Sequence, residues 1–178
     1  RVLGIDASQK MIEEAKRRNK ESHITYRLCG IEEYEYPKNM WDCVISNLAL
    51  HYIENIEQIF QKVHRTLKPD GIFLFNIEHP VFTAGVKQDW IYSKEGNPQY
   101  WPIDHYFMPG ERKTYFLGCD VMKQHHTLTQ ILMGLLHHNF ELKVVEEARP
   151  PAQMMDIPGM EDELRRPMML LVKSIAKK

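Results

Sequence analysis

The sequence predicts a doubly wound α/β fold around a mostly parallel sheet, on three observations. Short apolar, strand-like runs alternate with amphipathic helical stretches through the first 78 residues. The runs end on polar residues, as in Val2-Leu3-Gly4-Ile5-Asp6 and Cys43-Val44-Ile45-Ser46-Asn47. Turn chemistry, above all Pro69-Asp70-Gly71, separates a helical stretch from the strand that follows it. Strand-helix-strand alternation of this kind calls for parallel strands joined by right-handed crossovers.

Taken in order, Val2, Leu3 and Ile5 read as a strand buried on both faces. Ser8 is placed to cap a helix over residues 9–19, with Met11, Ile12 and Ala15 as its inner stripe. Residues 23–28 form the next strand, 31–37 a loop or single turn, and 41–47 a third strand with Cys43, Val44 and Ile45 fully buried. Residues 48–52 turn tightly into a helix over 56–67, where Ile56, Ile59, Phe60, Val63 and Leu67 recur at helical spacing. A fourth buried strand covers 72–77. From Glu78 to about His126 the rhythm breaks into an aromatic-rich stretch with no helical period, which predicts a β-rich insertion or lid over the carboxyl edge of the sheet. The chain therefore reads as one domain, a core of 1–78 and 127–178 carrying an insertion of 79–126. The pattern resumes with a helix over 127–139 whose stripe is Leu128, Ile131, Leu132, Leu135 and Leu136, then a strand over 140–145. A loop rich in Pro and acids (150–158) precedes a final strand over 168–172, and residues 173–178 fray.

Composition narrows the function classes. At 178 residues the chain can bury a real core. Its 23 basic and 24 acidic residues nearly cancel and are interleaved, which leaves no electrostatic footprint for nucleic acid. No apolar run reaches membrane-spanning length. Cys29, Cys43 and Cys119 are few, odd in number and widely spaced, as free thiols in a reducing cytoplasm would be. His125-His126, Cys119 and His137-His138 meet no usual metal-ligand spacing, and no metal is expected. The chain starts at Arg1, inside a strand pattern, and reads as a fragment whose first strand lies upstream.

Four pieces stand in a fixed order: an acid ending one strand, Gly30-Ile31-Glu32 after the next, residues 42–52 (Asp-Cys-Val-Ile-Ser-Asn-Leu-Ala-Leu-His-Tyr), and Leu67-Lys68-Pro69-Asp70-Gly71 before a strand. Together they resemble the class I S-adenosylmethionine-dependent methyltransferases, in particular the small-molecule branch with the ubiquinone/menaquinone-type enzymes. The resemblance implies a Rossmann-like sheet with an antiparallel final strand, and S-adenosyl-L-methionine as cofactor. It puts the ribose diol on Asp6, with Ala7 and Met11 beside it, and the adenine within Gly30, Ile31 and Glu32. Asn47, Leu48 and Ala49 fall beside the methionine part of the cofactor. The family's glycine-rich loop would lie before Arg1, and the first strand with it.

The acceptor side is read from the residues themselves. Phe82, Trp90, Trp101, Tyr106 and Phe116 are candidates to wall a pocket for an apolar or aromatic small molecule, with Arg112 holding a carboxylate or phosphate. His79, just past the fourth strand, and His51 are candidate bases for an acceptor that loses a proton. Two other classes stay open on these residues: a nicotinamide-dependent oxidoreductase, which also needs an acid for a ribose, and a domain that acts only by associating with a partner or a second copy through an open sheet edge.

Overall fold

The computed structural model describes residues 1–85, 87–116 and 118–178, without the Phe116 side chain. It comprises two compact units, residues 1–37 and 38–178. In the first, β1 (Val2–Asp6) pairs in parallel with β2 (Ile24–Leu28), with Asp6 opposite Leu28, and α1 (Gln9–Arg18) packs against both strands. The expected cap is present: Ser8 Oγ accepts from the Met11 N–H at 3.4 Å. Lys16, Arg17 and Arg18 close the last turn, the right sign for the helix dipole. Ile12 is buried, whereas Met11 is exposed and leaves the inner stripe narrower than the sequence suggested. Leu3 and Ile5 are half-buried and Val2 is exposed, so β1 is not covered on both faces.

The second unit contains, in chain order, β3 (Trp41–Asn47), a 3-10 turn (Leu50–Tyr52), α2 (Ile56–Thr66), β4 (Leu67–Glu78), α3 (Pro80–Ala84), β5 (Ile91–Tyr92), β6 (Pro98–Tyr100), β7 (Gly110–Phe116), β8 (Cys119–His125), α4 (Leu128–His137), β9 (Phe140–Glu147) and β10 (Met169–Ala176). Its four-stranded sheet has the order β3-β4-β10-β9. β3 and β4 are parallel, while β10 is antiparallel to both of its neighbours, the reversed final strand that the resemblance implied. β10 runs to Ala176, beyond the fraying expected after residue 172, because both of its edges stay paired to the end.

The core lies on one face of that sheet. Phe60 of α2 stands 6.1 Å and 6.0 Å from the Phe73 and Phe75 rings of β4, and α4 packs against α2 and β9. Alternation is regular along β10 and through residues 73–77 of β4, as it is when one side is covered. Phe73, Phe75 and Ile77 are buried, whereas the row Ile45, Leu74, Lys173 and Val144 across the four strands is exposed. Cys43 and Ile45 are therefore not core residues, contrary to the sequence expectation; they point to the face opposite α2 and α4, and Ile45 is 68% exposed. α4 is capped as a box, Thr127 Oγ1 accepting from the Gln130 N–H at 3.1 Å and the Gln130 side chain accepting from the Thr127 N–H at 2.9 Å. Its buried positions are Ile131, Gly134 and Leu135, and Leu136 is turned out.

The predicted turn at 69–71 is the irregular start of β4. Asp70 adopts φ +57°, and a Cβ on Gly71 would stand 2.9 Å from the Lys68 carbonyl oxygen, so only glycine fits there. Past β4 the insertion is built from α3 and two antiparallel hairpins, β5-β6 and β7-β8. Lys123 of β8 reaches Glu78 at the end of β4, which fastens the second hairpin to the carboxyl edge of the sheet.

Candidate functional site

In an open α/β sheet, ligands bind beyond the carboxyl ends of the parallel strands. In the first unit that rim carries Asp6, exposed, with Oδ1 accepting from the Ser8 N–H at 2.7 Å. This hydrogen bond orients the carboxylate at the turn into α1. Cys29 donates its N–H to the Asp6 carbonyl at 2.9 Å, so Gly30 follows directly on the paired end of β2, with Ile31 and Glu32 in the turn behind it. Ala7 and Met11 are exposed beside Asp6 in sequence.

In the second unit the same kind of rim holds Asn47, Asn76, His51, Glu78 and His79. Asn47 and Asn76 face each other across β3 and β4, and Asn76 Nδ2 donates to Asn47 Oδ1 at 3.2 Å. Leu48 turns with φ +52° and gives its N–H to the Asn76 carbonyl at 2.9 Å, which carries Ala49 and the 3-10 turn away from the strand. That turn delivers His51 beside Glu78. Lys123 Nζ donates to Glu78 Oε1 at 2.5 Å and to Gln88 Oε1 at 3.2 Å, and both members of the ion pair are buried. Glu78 Oε2 has no hydrogen-bond partner among the described residues.

The two histidines proposed as bases are spoken for. His51 Nδ1 accepts a long hydrogen bond from the Glu78 N–H at 3.4 Å, which requires the tautomer protonated at Nε2. Burial, with the Lys123 charge adding to it, pushes its pKa down to about 4. His79 caps α3 through Nδ1, which accepts from the Val81 N–H at 3.0 Å, and its Nε2 lies 2.9 Å from Glu147 Oε1. Burial lowers its pKa and Glu147 opposes the shift. A general base needs a vacant lone pair within reach of the proton; neither ring offers one. The other two histidines of interest are also bound: His125 contacts Thr83 Oγ1 at 2.7 Å and the Tyr106 carbonyl at 2.9 Å, and His126 contacts the Ile53 carbonyl at 2.8 Å.

The aromatic residues of the insertion separate into two groups. Phe82 and Trp101 stack at 4.9 Å, Trp90 meets Trp101 edge-on at 5.4 Å, and Trp101 Nε1 donates to the Val81 carbonyl at 3.2 Å. Tyr106 stands elsewhere: its hydroxyl accepts from the Leu128 N–H at 3.2 Å, tying the insertion to the start of α4. The Phe116 side chain lies outside the described part of the chain. Arg112 does not face the tryptophans either. Its guanidinium donates to the carbonyls of Met108 (2.7 Å), Glu111 (3.0 Å) and His105 (3.2 Å), so it staples a loop, and its Nε is buried without a hydrogen-bond partner among the described residues. The cations beside the indoles are Arg165 and Arg166. The signal that could have found them is an acid-arginine spacing of three, Asp162 to Arg165 and Glu163 to Arg166, between the predicted loop at 150–158 and the final strand. Lys123 was missed as well.

Comparison with known proteins identifies what this architecture belongs to. The family described as "Methyltransferase domain" matches residues 1–75. A solved structure from Listeria monocytogenes, described as an S-adenosylmethionine-dependent methyltransferase, is 42% identical with a TM-score of 0.96 and covers 100% of this chain and 80% of its own. A second, from Mesorhizobium loti and described in the same terms, is 38% identical with a TM-score of 0.87, covering 97% of this chain and 79% of its own. The chain belongs to the S-adenosylmethionine-dependent methyltransferases. An uncharacterized protein of Haemophilus influenzae is 26% identical over 181 residues, 98% of this chain and 71% of its own length. Both solved relatives are described as methyltransferases, and nothing in the comparisons supports the nicotinamide-dependent oxidoreductase alternative. Among the described residues, no helix of the methyltransferase is long and apolar enough to cross a membrane.

Proposed function

We propose that this methyltransferase acts on a small-molecule acceptor, within the branch that includes the ubiquinone/menaquinone-type enzymes, and that Asp6 holds the ribose diol of S-adenosyl-L-methionine. The observation that carries this reading is the Asp6 carboxylate itself, exposed at the end of a parallel strand and oriented by the Ser8 N–H. Two hydroxyls donating to one fixed carboxylate make a paired, charge-assisted contact. Ala7 and Met11 flank it, Gly30, Ile31 and Glu32 frame the adenine, and Asn47, Leu48 and Ala49 run beside the methionine part. The free cysteines fit a reducing cytoplasm, and a homodimer is the assembly we favour. We read 79–126 as an insertion into one domain of 1–78 and 127–178.

The cofactor supplies an activated methyl group that an in-line nucleophile displaces, so the protein contributes alignment above all. At the rim, Glu78 has one oxygen committed to Lys123 and the other buried and unpartnered, and burial raises its pKa while Lys123 opposes the shift. The test of the cofactor assignment is calorimetric titration of S-adenosylhomocysteine into the protein and into its Asp6→Ala variant. Loss of two charge-assisted hydrogen bonds should weaken binding by roughly 100-fold or more. Equal affinity of the two proteins would refute the role of Asp6.

A further inference from the structure

The tryptophans and the arginine pair border an open cavity of about 290 Å³, lined by Val81, Trp90, Trp101, Ile103, Arg165 and Arg166 among others. Its walls are planar. Arg166 lies 4.3 Å over the Trp101 ring and Arg165 lies 4.5 Å over the Trp90 ring, so each guanidinium is stacked on an indole and held as a flat cationic surface against which a planar ligand can pack. Its charged lining has one sign. Two guanidiniums line the cavity and no carboxylate does among the described residues. Asp162 and Glu163 hold the arginines from outside the lining, at 2.8 Å and 2.7 Å, while Arg165 also donates to the Pro98 and Gln99 carbonyls. The cations are thus held in position before any ligand arrives. Arg166 is 8% exposed, and its Nε has no hydrogen-bond partner among the described residues. A buried N–H donor left over beside a π-walled cavity asks for an acceptor.

We propose that this cavity is a binding site for a planar aromatic or conjugated carboxylate of one ring or a fused pair. On the methyltransferase reading, from which alone it takes the word acceptor, the ligand is the methyl acceptor or carries the group that anchors it. The carboxylate accepts a hydrogen bond from the Arg166 Nε–H and faces Arg165, and the ring packs against the guanidinium and aromatic lining of the cavity. The location suits the role. Val81 follows β4 by three residues and Pro167 precedes β10, and the His79 N–H bonds the Met168 carbonyl at 2.8 Å, so the cavity opens from the segments that leave and enter the carboxyl edge of the sheet.

The experiment is titration of benzoate, with benzyl alcohol as the neutral counterpart, read by tryptophan emission. Benzoate should give saturable quenching at least about tenfold tighter than benzyl alcohol, and Arg165→Gln, at an exposed position, should erase about that margin while leaving the alcohol unchanged. Arg166→Lys keeps the charge but loses the Nε donor, and should weaken benzoate selectively in any preparation that melts like the parent. Equal binding of the two ligands, no saturable quenching by benzoate, or an unaltered margin in Arg165→Gln would each overturn the proposal. Parallel titration with S-adenosylhomocysteine separates the two claims: benzoate binding without cofactor binding sinks the cofactor assignment alone, and the reverse sinks this site alone.

Discussion

The second unit carries its own acid sensitivity. His51 is 3% exposed, accepts a backbone hydrogen bond through Nδ1, and sits beside the Lys123-Glu78 pair. Its pKa falls from 6.5 to about 4 in the fold, because burial penalises the imidazolium and Lys123 repels it. The unfolded chain takes up the proton near pH 6.5 and the folded chain does not until about pH 4. Stability is therefore whole above pH 6.5 and is lost as pH falls toward 4, with the unfolded state binding the extra proton throughout. At about 1.4 kcal/mol per unit, a gap of some 2.5 units amounts to about 3 kcal/mol from this one ring. His79, His125 and His126 are shifted in the same direction by burial and add to the slope.

A net stability on the order of 5–15 kcal/mol makes a loss of that size easy to see. The assay is urea unfolding followed by tryptophan emission from pH 7.5 to 5. Trp41, Trp90 and Trp101 all lie in residues 38–178, so the signal reports this unit. We expect the parent to lose stability steadily below pH 6.5, and His51→Gln, whatever its stability at pH 7.5, to lose it less steeply by about one proton. A flat profile for the parent, or the same slope in the variant, would refute the reasoning.

Three further outcomes follow from the packing. Lys123→Met strands the Glu78 carboxylate in the interior and should cost about 3–5 kcal/mol in urea unfolding, while Glu78→Leu/Lys123→Met should recover most of it; a double variant as unstable as the single would show that the two groups are not coupled. Thr127→Ala removes the hydroxyl half of the capping box of α4, leaving the Thr127 N–H to Gln130 half in place, and should cost about 1 kcal/mol in the same assay, against no change if water caps the helix equally well. Gly134→Ala should destabilise despite a helix-propensity gain of about 1 kcal/mol, because the new Cβ stands 3.2 Å from the fully buried Phe60 ring; a higher melting temperature would mean that Phe60 can give way.

What the sequence made legible follows the range of the interactions involved. β3 was placed at its observed bounds and α2 and α4 within a residue or two, because strand runs, helical spacing and caps are local. Exposure was misread at Cys43 and Ile45. A run of apolar residues looks the same whether a strand is covered on one face or two, and only the placement of α2 and α4 on one side decides it. Polar partners at a distance were invisible. Lys123 and Glu78 are 45 residues apart, and nothing in Met122-Lys123-Gln124 announces a buried cation. Arg112 was assigned an anion because sequence displays donors, whereas the acceptors it found are carbonyl oxygens that every residue has. The position of Asp6 was the easier inference, since strand end, acid and cap lie within three residues.

Burying Lys123 with Glu78 does not recommend itself as a source of stability, since a well-packed apolar pair of like volume would serve at least as well. Its value lies in selection among arrangements. Side chains alternate along β8, so a slip of one residue would present Met122 or Gln124 to Glu78 and leave a carboxylate buried without its cation. The penalty for that mismatch falls on every wrong register and on none of the right one. Glu78 also donates its N–H to His51 and pairs with Met169 of β10, so the same residue fixes the hairpin, the turn after β3 and the final strand at one edge. A rim assembled from segments so far apart in the chain keeps its polar groups in place only if some contact makes the alternatives expensive, and at this edge the buried ion pair is the contact that does so.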